Sequence, residues 1–259
     1  MEINKDTLLM FSKFNDYLFH EEPHEYYWKD KKVKTSVTKF VSTFFEEFDK
    51  EKISLSYAKK NGLDQQEVLN DWAKNGNIAS ITGTILHKYA EDRQIGRVMP
   101  FDFSDAKKNN VFDGVKERIY KLCDMYDKFA IDTSGKLLPL KMEFTVGLQD
   151  HIAGNIDFLC WNEKYQEINI IDYKTSKKIE KTNSYGKKMK YEMSAYDDCE
   201  FYHYSFQLAL YKEILNRFGI NVGRCMLVWI NESNQKYQII QCADLQKEAT
   251  LALDRLCKM

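Results

Sequence analysis

The first half of the chain places apolar residues at helical spacing between short polar segments. Residues 1–35 are polar and aromatic, and the stretch HEYYWKDKKVK predicts a small hairpin. Ser36 is a hydroxyl N-cap for a helix whose apolar positions include Val37, Phe40 and Phe44. Further helix is expected in three places: residues 49–80 with breaks at Asn61-Gly62 and Asn75-Gly76, residues 82–94, and residues 111–130.

The second half changes to apolar runs that have the length of strands. Runs at 140–147, 152–161 and 168–174 are joined by short polar turns, which predicts an antiparallel meander. A lysine-rich loop over 175–200 leads to the last predicted elements: a helix over 202–218 ended by Gly219, strands over 224–230 and 237–241, and a helix over 244–257.

Helices followed by the order β-β-β-α-β-β-α indicate an α/β or α+β fold. We expect an N-terminal hairpin and helical elaboration over residues 1–80, packed on a core formed by residues 81–259. The chain has 259 residues, of which 44% are hydrophobic, and this suffices for one large core or for a core with a helical subdomain.

Composition also bears on the cellular setting. No apolar run approaches the ~18 residues of a membrane-spanning helix. The start, MEINKDTLLMFSKFNDY, carries charges where a secretion signal needs an apolar stretch, so we expect a cytoplasmic protein with no membrane partner. The six cysteines form no C-x-x-C pair and predict reduced thiols: Cys123, Cys160, Cys199, Cys225, Cys242 and Cys257.

A net charge of −1 is not that of a protein coated in basic residues for nucleic acid. One segment differs, because six lysines stand against the single acid Glu180: Lys177, Lys178, Lys181, Lys187, Lys188 and Lys190. A mobile solvated loop and a clamp that neutralises DNA phosphates both fit this segment.

Two acidic strand ends form the first candidate site. Asp157 ends one apolar strand, and Asp172, Tyr173 and Lys174 end the next. Alternation along a strand puts Asp172 and Lys174 on one face, beyond the apolar Ile170. Two carboxylates, a backbone carbonyl near Tyr173 and a lysine suit a hard divalent cation and a water. A surface ion pair at a strand end is the alternative.

The pattern D-x-K is weak evidence by itself. It also occurs at Asp30-Lys32 and Asp105-Lys107, both in polar loops where solvated charges are expected. Only Asp172-Lys174 ends an apolar strand that neighbours another strand ending in an acid. Position in the predicted sheet therefore distinguishes this copy.

Two helices carry further polar residues at helical spacing. Gly83, His87 and Glu91 recur every four residues and share a face, where the histidine is an available ligand and the glycine allows close approach. A structural histidine is the alternative. Gln207 and Tyr211 lie one turn apart in a later helix and could position phosphate.

The ordered motifs G-x-x-x-H-x-x-x-E, E…G-x-x-D, I-D-Y-K-T and Q-L-A-L-Y resemble the RecB-like branch of the PD-(D/E)XK nuclease superfamily. The segment with His24, Tyr26 and Ser36-Val37-Thr38 resembles the N-terminus of stand-alone phage-type members. The mitochondrial genome maintenance exonuclease belongs to the same branch. The resemblance implies a restriction-endonuclease-like core, with a central mixed sheet flanked by helices.

Site residues follow from the resemblance by position. It implies metal ligands at His87, Asp157, Asp172 and the Tyr173 carbonyl, with Glu91 and Glu143 in support. It implies catalytic roles for Asp157, Asp172, Lys174, Gln207 and Tyr211. DNA contacts are expected from the backbone-approach and loop positions: Ser36, Gly83, Thr175, Lys177, Lys178, Lys181, Lys187, Lys188 and Lys190.

Two departures limit the family comparison. Cysteine spacing does not match the iron–sulfur ligands of some RecB-like exonucleases, so no cluster is expected. No G-x-x-x-x-G-K-[ST] phosphate loop is present, so a helicase or recombinase would be a separate partner.

The function expected from the sequence is a Mg²⁺- or Mn²⁺-dependent exonuclease that acts on single-stranded or duplex DNA ends. Recombination, repair or phage replication, in a bacterium or a phage, is the expected setting. A flap endonuclease on the same site is one alternative. A catalytically inactive DNA-binding module of a recombination complex is the alternative of another class.

Overall fold

A mixed six-stranded sheet with helices on both faces forms the centre of the protein, in a computed structural model that describes residues 9–258. The strands are β1 (Tyr17–His20), β2 (Glu25–Trp28), β3 (Lys31–Lys32), β4 (Thr35–Ser36), β5 (Leu137–Leu148), β6 (Ile152–Asn162), β7 (Glu167–Lys174), β8 (Val222–Trp229) and β9 (Gln238–Gln241). The α-helices are α1 (Val37–Ser42), α2 (Lys50–Asn61), α3 (Gln65–Gln94), α4 (Ser104–Lys108), α5 (Phe112–Thr133), α6 (Glu200–Arg217) and α7 (Gln246–Cys257).

The central sheet has the strand order β4-β6-β7-β8-β9, with β5 paired to β6. The meander β5-β6-β7 is antiparallel, which confirms the sequence prediction for these strands. β7 and β8 are parallel, and helix α6 lies in the long connection that parallel strands require. β4 also runs parallel to β6, so the sheet mixes both senses.

Each face of the sheet is covered by its own set of helices. One core contains Phe40 of α1, Ile170 of β7 and Phe206 of α6. The other contains Leu86 of α3 and Ile171 of β7 together with the apolar stripe of α5. Adjacent residues of β7 are thus buried on opposite faces, as expected for a strand covered on both sides. The predicted fold class, a central mixed sheet flanked by helices, is confirmed.

Capping residues end the helices where the sequence indicated. Ser36 accepts a hydrogen bond from the Lys39 backbone N–H at 3.1 Å and begins α1. Gly62 follows α2 with φ 66°, a left-handed conformation in which a side chain would be strained. The N-terminal hairpin is also present, as the three-stranded antiparallel sheet β1-β2-β3.

Helix α3 differs from the prediction, because Asn75-Gly76 does not interrupt it. Packing explains the continuity, since Ile78 one half-turn later lies against Gly114 of α5. Such contacts outweigh the roughly 1 kcal/mol helix penalty of one glycine. The same helix runs through residue 80, where the sequence suggested dividing the elaboration 1–80 from the core 81–259. That division stays a prediction.

Within residues 9–258, no helix is long and apolar enough to cross a membrane. The predicted thiol state agrees with the structure, because all six cysteines are free.

Candidate metal-binding site

The candidate site lies where the strand pairing along β6 changes. β5 pairs with one edge of β6 along its whole length. On the other edge, β4 pairs with residues 152–153 and β7 with residues 158–162. Within the described part of the chain, residues 154–157 therefore have no strand partner on that edge. This gap, residues 154–157 between β4 and β7, is called the β6 gap.

Asp157 lies at the end of the β6 gap and links three elements. Its Oδ2 accepts a hydrogen bond from the backbone N–H of Tyr173 at 2.8 Å, in place of a strand pair. His87 of α3 donates from Nε2 to the Tyr173 carbonyl O at 3.0 Å, and its Nδ1 lies 3.4 Å from Asp157 Oδ2. The sheet edge and helix α3 therefore converge on one carboxylate.

Glu143 of β5 completes a cluster that could hold a metal ion. One ligand atom each from His87, Glu143 and Asp157 lie within 4.8 Å of one another. The register of β5 and β6 places Glu143 opposite Asp157, because Met142 pairs with Phe158 and Phe144 with Ile156. Two carboxylates face each other across the strands, and like charges so placed repel unless a cation lies between them.

The backbone of Glu143 is strained. Its φ is 43°, a left-handed value within an otherwise extended strand. A side chain other than glycine adopts such a conformation at a cost of order 1–3 kcal/mol, and such residues are concentrated at functional sites. Strain at the residue whose carboxylate enters the cluster favours a function for Glu143 beyond strand formation.

The charges of the cluster depend on one another. Burial, then the nearby Asp157 charge, raise the pKa of Glu143 to about 7. Burial disfavours the charged form of His87, but the Asp157 carboxylate outweighs it and raises the pKa of the imidazole to about 9. For Asp157 burial acts against ionisation, yet His87 and Lys174 lower its pKa below the usual value. A positive charge at this position is therefore electrostatically favoured.

Glu143→Gln is expected to stabilise the protein at pH 8 in the presence of EDTA. Ionisation of Glu143 is penalised in the folded state and not in the unfolded state, so wild-type stability falls as pH rises from about 4.5 to about 7. Gln carries no such charge. Thermal unfolding should therefore give a higher Tm for the variant at pH 8 and a difference close to zero at pH 4.5. An equal or lower Tm for the variant at pH 8 would contradict this account.

Asp172 and Lys174 form a buried ion pair beside the cluster. Lys174 Nζ lies 2.5 Å from Asp172 Oδ2, and the two side chains are 18% and 6% exposed. The ammonium also lies 4.8 Å from the centre of the Tyr204 ring. Burial raises the pKa of Asp172 to about 6 against the opposing effect of Lys174. Burial acts to lower the pKa of Lys174, but Asp172 and Asp157 outweigh it and raise that pKa.

Tyr211 of α6 reaches across the β6 gap to Gly154. A Cβ at Gly154 would lie 2.7 Å from the Tyr211 Oη and 2.9 Å from its Cε1. Tyr211 is 3% exposed, and its pKa is raised mainly by burial and lowered by a hydrogen bond from the Gln207 side chain. Gln207, Tyr211 and Gly154 are therefore in mutual contact or close to it, at the edge of the metal-ligand cluster.

Gly154→Ala is expected to lower stability by about 1–3 kcal/mol, the usual cost of overpacking a core. The added methyl group meets the ring of Tyr211, which is held in the core and is not free to move away. Thermal or urea unfolding measures the loss. Ala153→Gly, at the neighbouring buried position of β6, separates the effect of crowding from that of changing any small residue. Unchanged stability in Gly154→Ala would contradict the packing described.

Other predicted residues are placed around this centre. The Thr175 Oγ1 lies beside Gly83, 3.7 Å from the position of an added Cβ. Ser36 uses its side chain as the cap of α1. Glu91 accepts a hydrogen bond from Lys88 at 2.6 Å, whereas the imidazole of His87 contacts Asp157 and Tyr173. A supporting role for Glu91 through His87 stays a prediction.

All six lysines of the segment 177–190 are exposed. Three of them form ion pairs, in which Lys178 contacts Glu180, Lys187 contacts Glu46 and Lys188 contacts Asp197. Lys181 lies 4.9 Å from the ring centre of Phe201. Part of the positive charge of this segment is thus already compensated within the protein.

Two residues near the site have a more direct position than the sequence indicated. Glu143 lies in the ligand cluster, although the sequence assigned it only a supporting role. Tyr204, four residues before Leu208 in α6, lies against the Lys174 ammonium. The strand register could have indicated Glu143, since it stands opposite Asp157, whereas the contact of Tyr204 requires the packing of α6 on the sheet.

Comparisons with known proteins add little to this geometry. No protein-family model matches the chain, and no curated protein matches it. Two solved structures are similar in part. The protein SSO0001 is 16% identical, with 70% of this chain and 87% of that chain covered and a TM-score of 0.29. A protein of Eubacterium rectale, described as a proposed exonuclease, is 13% identical, with 68% and 63% covered and a TM-score of 0.34. Scores this low support no conclusion about fold or function.

Proposed function

We propose that the protein is a divalent-metal-dependent deoxyribonuclease that hydrolyses phosphodiester bonds at DNA ends. The observation that carries the proposal is the convergence of His87, Glu143 and Asp157 beside the buried pair Asp172-Lys174. We further propose that it belongs to the RecB-like branch of the PD-(D/E)XK nucleases, on the ordered motifs of the sequence and the sheet that presents them.

The donor set fits a hard cation. Mg²⁺ and Mn²⁺ prefer oxygen ligands and retain several waters, and Mn²⁺ also accepts an imidazole nitrogen. His87, Glu143 and Asp157 would hold the ion, with the Asp172 carboxylate and the Tyr173 carbonyl as further oxygens. When bound, the metal would neutralise charge on the phosphate and lower the pKa of a water. The proposed protein contains no iron–sulfur cluster.

Lys174 supplies a fixed positive charge beside the ligand cluster. Asp172 and the Tyr204 ring hold its ammonium group from two directions. Because the pKa of Lys174 is raised, the group stays protonated throughout the neutral range. A preorganised cation of this kind stabilises negative charge that develops on phosphate oxygens during hydrolysis. Gln207 and Tyr211 supply neutral donors on the opposite side of Asp157.

Three alternatives or extensions remain within the proposal. An endonuclease that recognises flaps would use the same residues. An inactive DNA-binding module needs neither the strained Glu143 nor a buried lysine, and these two features favour catalysis. The proposed setting is the cytoplasm of a bacterium or of a phage-infected cell, with a separate helicase or recombinase as a partner.

Digestion of end-labelled DNA tests the mode of cleavage. Linear single strands, linear duplex and covalently closed circles are incubated with Mg²⁺ or Mn²⁺. An exonuclease releases label from linear DNA and leaves closed circles intact. Nicking of the circles at a similar rate would favour the endonuclease, and binding to DNA without cleavage of any substrate would favour the inactive module.

A further inference from the structure

The N-terminal hairpin inserts one tyrosine at the candidate site. Tyr26 of β2 is 8% exposed and belongs to the same core as Tyr211. Its ring stacks on Phe19 of β1 with centroids 4.8 Å apart, and its backbone carbonyl accepts a hydrogen bond from the Val33 N–H at 2.8 Å. These contacts hold the ring rigidly, so the hydroxyl has a defined position.

That hydroxyl points at the β6 gap. It lies beside the backbone amide of Asn155, and the carboxylates of Glu143 and Asp157 are close enough to act on its charge. The Tyr211 hydroxyl, above Gly154, is a further neighbour. Two tyrosine hydroxyls from different parts of the chain thus lie at the strand gap that borders the candidate metal ligands.

The next residue has the opposite orientation. Tyr27 contributes a hydroxyl that donates to Glu25 Oε2 at 3.0 Å, away from the site and in contact with solvent. Alternation along β2 accounts for this difference. Tyr26 and Tyr27 therefore have the same chemistry and adjacent positions on one strand, and only one of them faces the β6 gap.

We propose that Tyr26 is a substrate-binding residue whose hydroxyl donates a hydrogen bond to a non-bridging oxygen of a DNA phosphate at the β6 gap. The inference rests on the proposed nuclease function and deepens it, because it brings the N-terminal hairpin into the substrate site. Tyr26 and Tyr211 would then form a pair of donors beside the metal ligands.

Neutral donors suit this position for an electrostatic reason. A phosphodiester that approaches Glu143, Asp157 and Asp172 is repelled by their negative charge, and further fixed cations would compete with the metal for the same carboxylates. An O–H group offers a hydrogen bond to the phosphate without such competition. Burial raises the pKa of Tyr26 to about 12, so the hydroxyl keeps its proton at neutral pH.

Tyr26→Phe, with Tyr27→Phe as the matched control, tests the inference. Phenylalanine keeps the ring stacking on Phe19, and both variants should unfold close to the wild-type temperature. Affinity for labelled single-stranded and duplex oligonucleotides is measured in Ca²⁺, and cleavage in Mg²⁺. Since a hydrogen bond to a charged group is worth about 1.5–3 kcal/mol, Tyr26→Phe should weaken DNA binding and lower kcat/KM by roughly ten- to a hundredfold. Tyr27→Phe should match the wild type.

Each outcome decides one of the two proposals. DNA affinity of Tyr26→Phe equal to that of Tyr27→Phe would overturn the role of Tyr26, whatever the cleavage rates. Weaker binding by Tyr26→Phe, with no cleavage by the wild type, would support the phosphate contact and reject the nuclease. Weakened binding confined to a variant that has also lost thermal stability would assign Tyr26 to hairpin packing and overturn the inference.

Discussion

Lys174→Ala is expected to lower the rate of DNA hydrolysis by about a hundred- to a thousandfold, the range for loss of one preorganised charge-stabilising donor. The ammonium is the only side-chain cation that the described residues 9–258 pair with Asp172. Its position is fixed by that ion pair and by the Tyr204 ring, so no neighbouring group replaces it. DNA affinity should change little, because phosphates elsewhere on the substrate retain their contacts. Single-turnover cleavage and fluorescence anisotropy separate the two effects.

Lys177→Ala is the matched control for this prediction. It removes a lysine three residues later, on the exposed segment that follows β7. Loss of Lys174 also leaves the buried Asp172 without its partner, and the Asp172 pKa should rise further, with some loss of stability at pH 8. The variant is therefore assayed below its unfolding temperature. Wild-type cleavage by folded Lys174→Ala would remove Lys174 from the mechanism.

Asp157→Asn is expected to abolish both metal binding and cleavage. Asp157 is the member of the cluster that lies between the others, opposite Glu143 on β6 and 3.4 Å from the His87 Nδ1. Asparagine removes the negative charge, while its Oδ1 can still accept the hydrogen bond from the Tyr173 N–H that bridges the strands. The substitution should therefore remove the ion and preserve the fold. Titration with Mn²⁺, followed by electron paramagnetic resonance or calorimetry, measures metal binding directly.

Asp105→Asn provides the control for a carboxylate in the same local pattern. Asp105 precedes Lys107 in a second D-x-K, on the exposed short helix α4. We expect this variant to bind Mn²⁺ and to cleave DNA as the wild type does. Unchanged Mn²⁺ affinity in Asp157→Asn would show that the ion, if it binds, is held elsewhere.

The local elements of the site could be predicted from the sequence because they depend on short-range patterns. Alternation in INIIDYK placed Asp172 and Lys174 on one face of β7, and the structure pairs them. Helical periodicity placed His87 on α3, whose side chain reaches Asp157. Each of these inferences needs only the period of one element.

Features that depend on how elements meet could not be predicted in the same way. The β6 gap arises because β4 and β7 pair with different parts of one edge of β6, which no single strand pattern reveals. The positive φ of Glu143 is a tertiary strain at a residue type that does not announce it. Helix α3 continues through Asn75-Gly76 because Ile78 packs on α5. In each case a long-range contact outweighs the local preference.

The central claim is that this site hydrolyses DNA with a divalent metal. The most direct test compares wild type and Asp157→Asn, purified in parallel, on end-labelled linear DNA with Mg²⁺, with Mn²⁺ and with EDTA. The account predicts that the wild type releases labelled product with either metal and none with EDTA, and that Asp157→Asn releases none under any condition. Equal cleavage by the two proteins, or a folded wild type that cleaves no DNA with either metal, would contradict it.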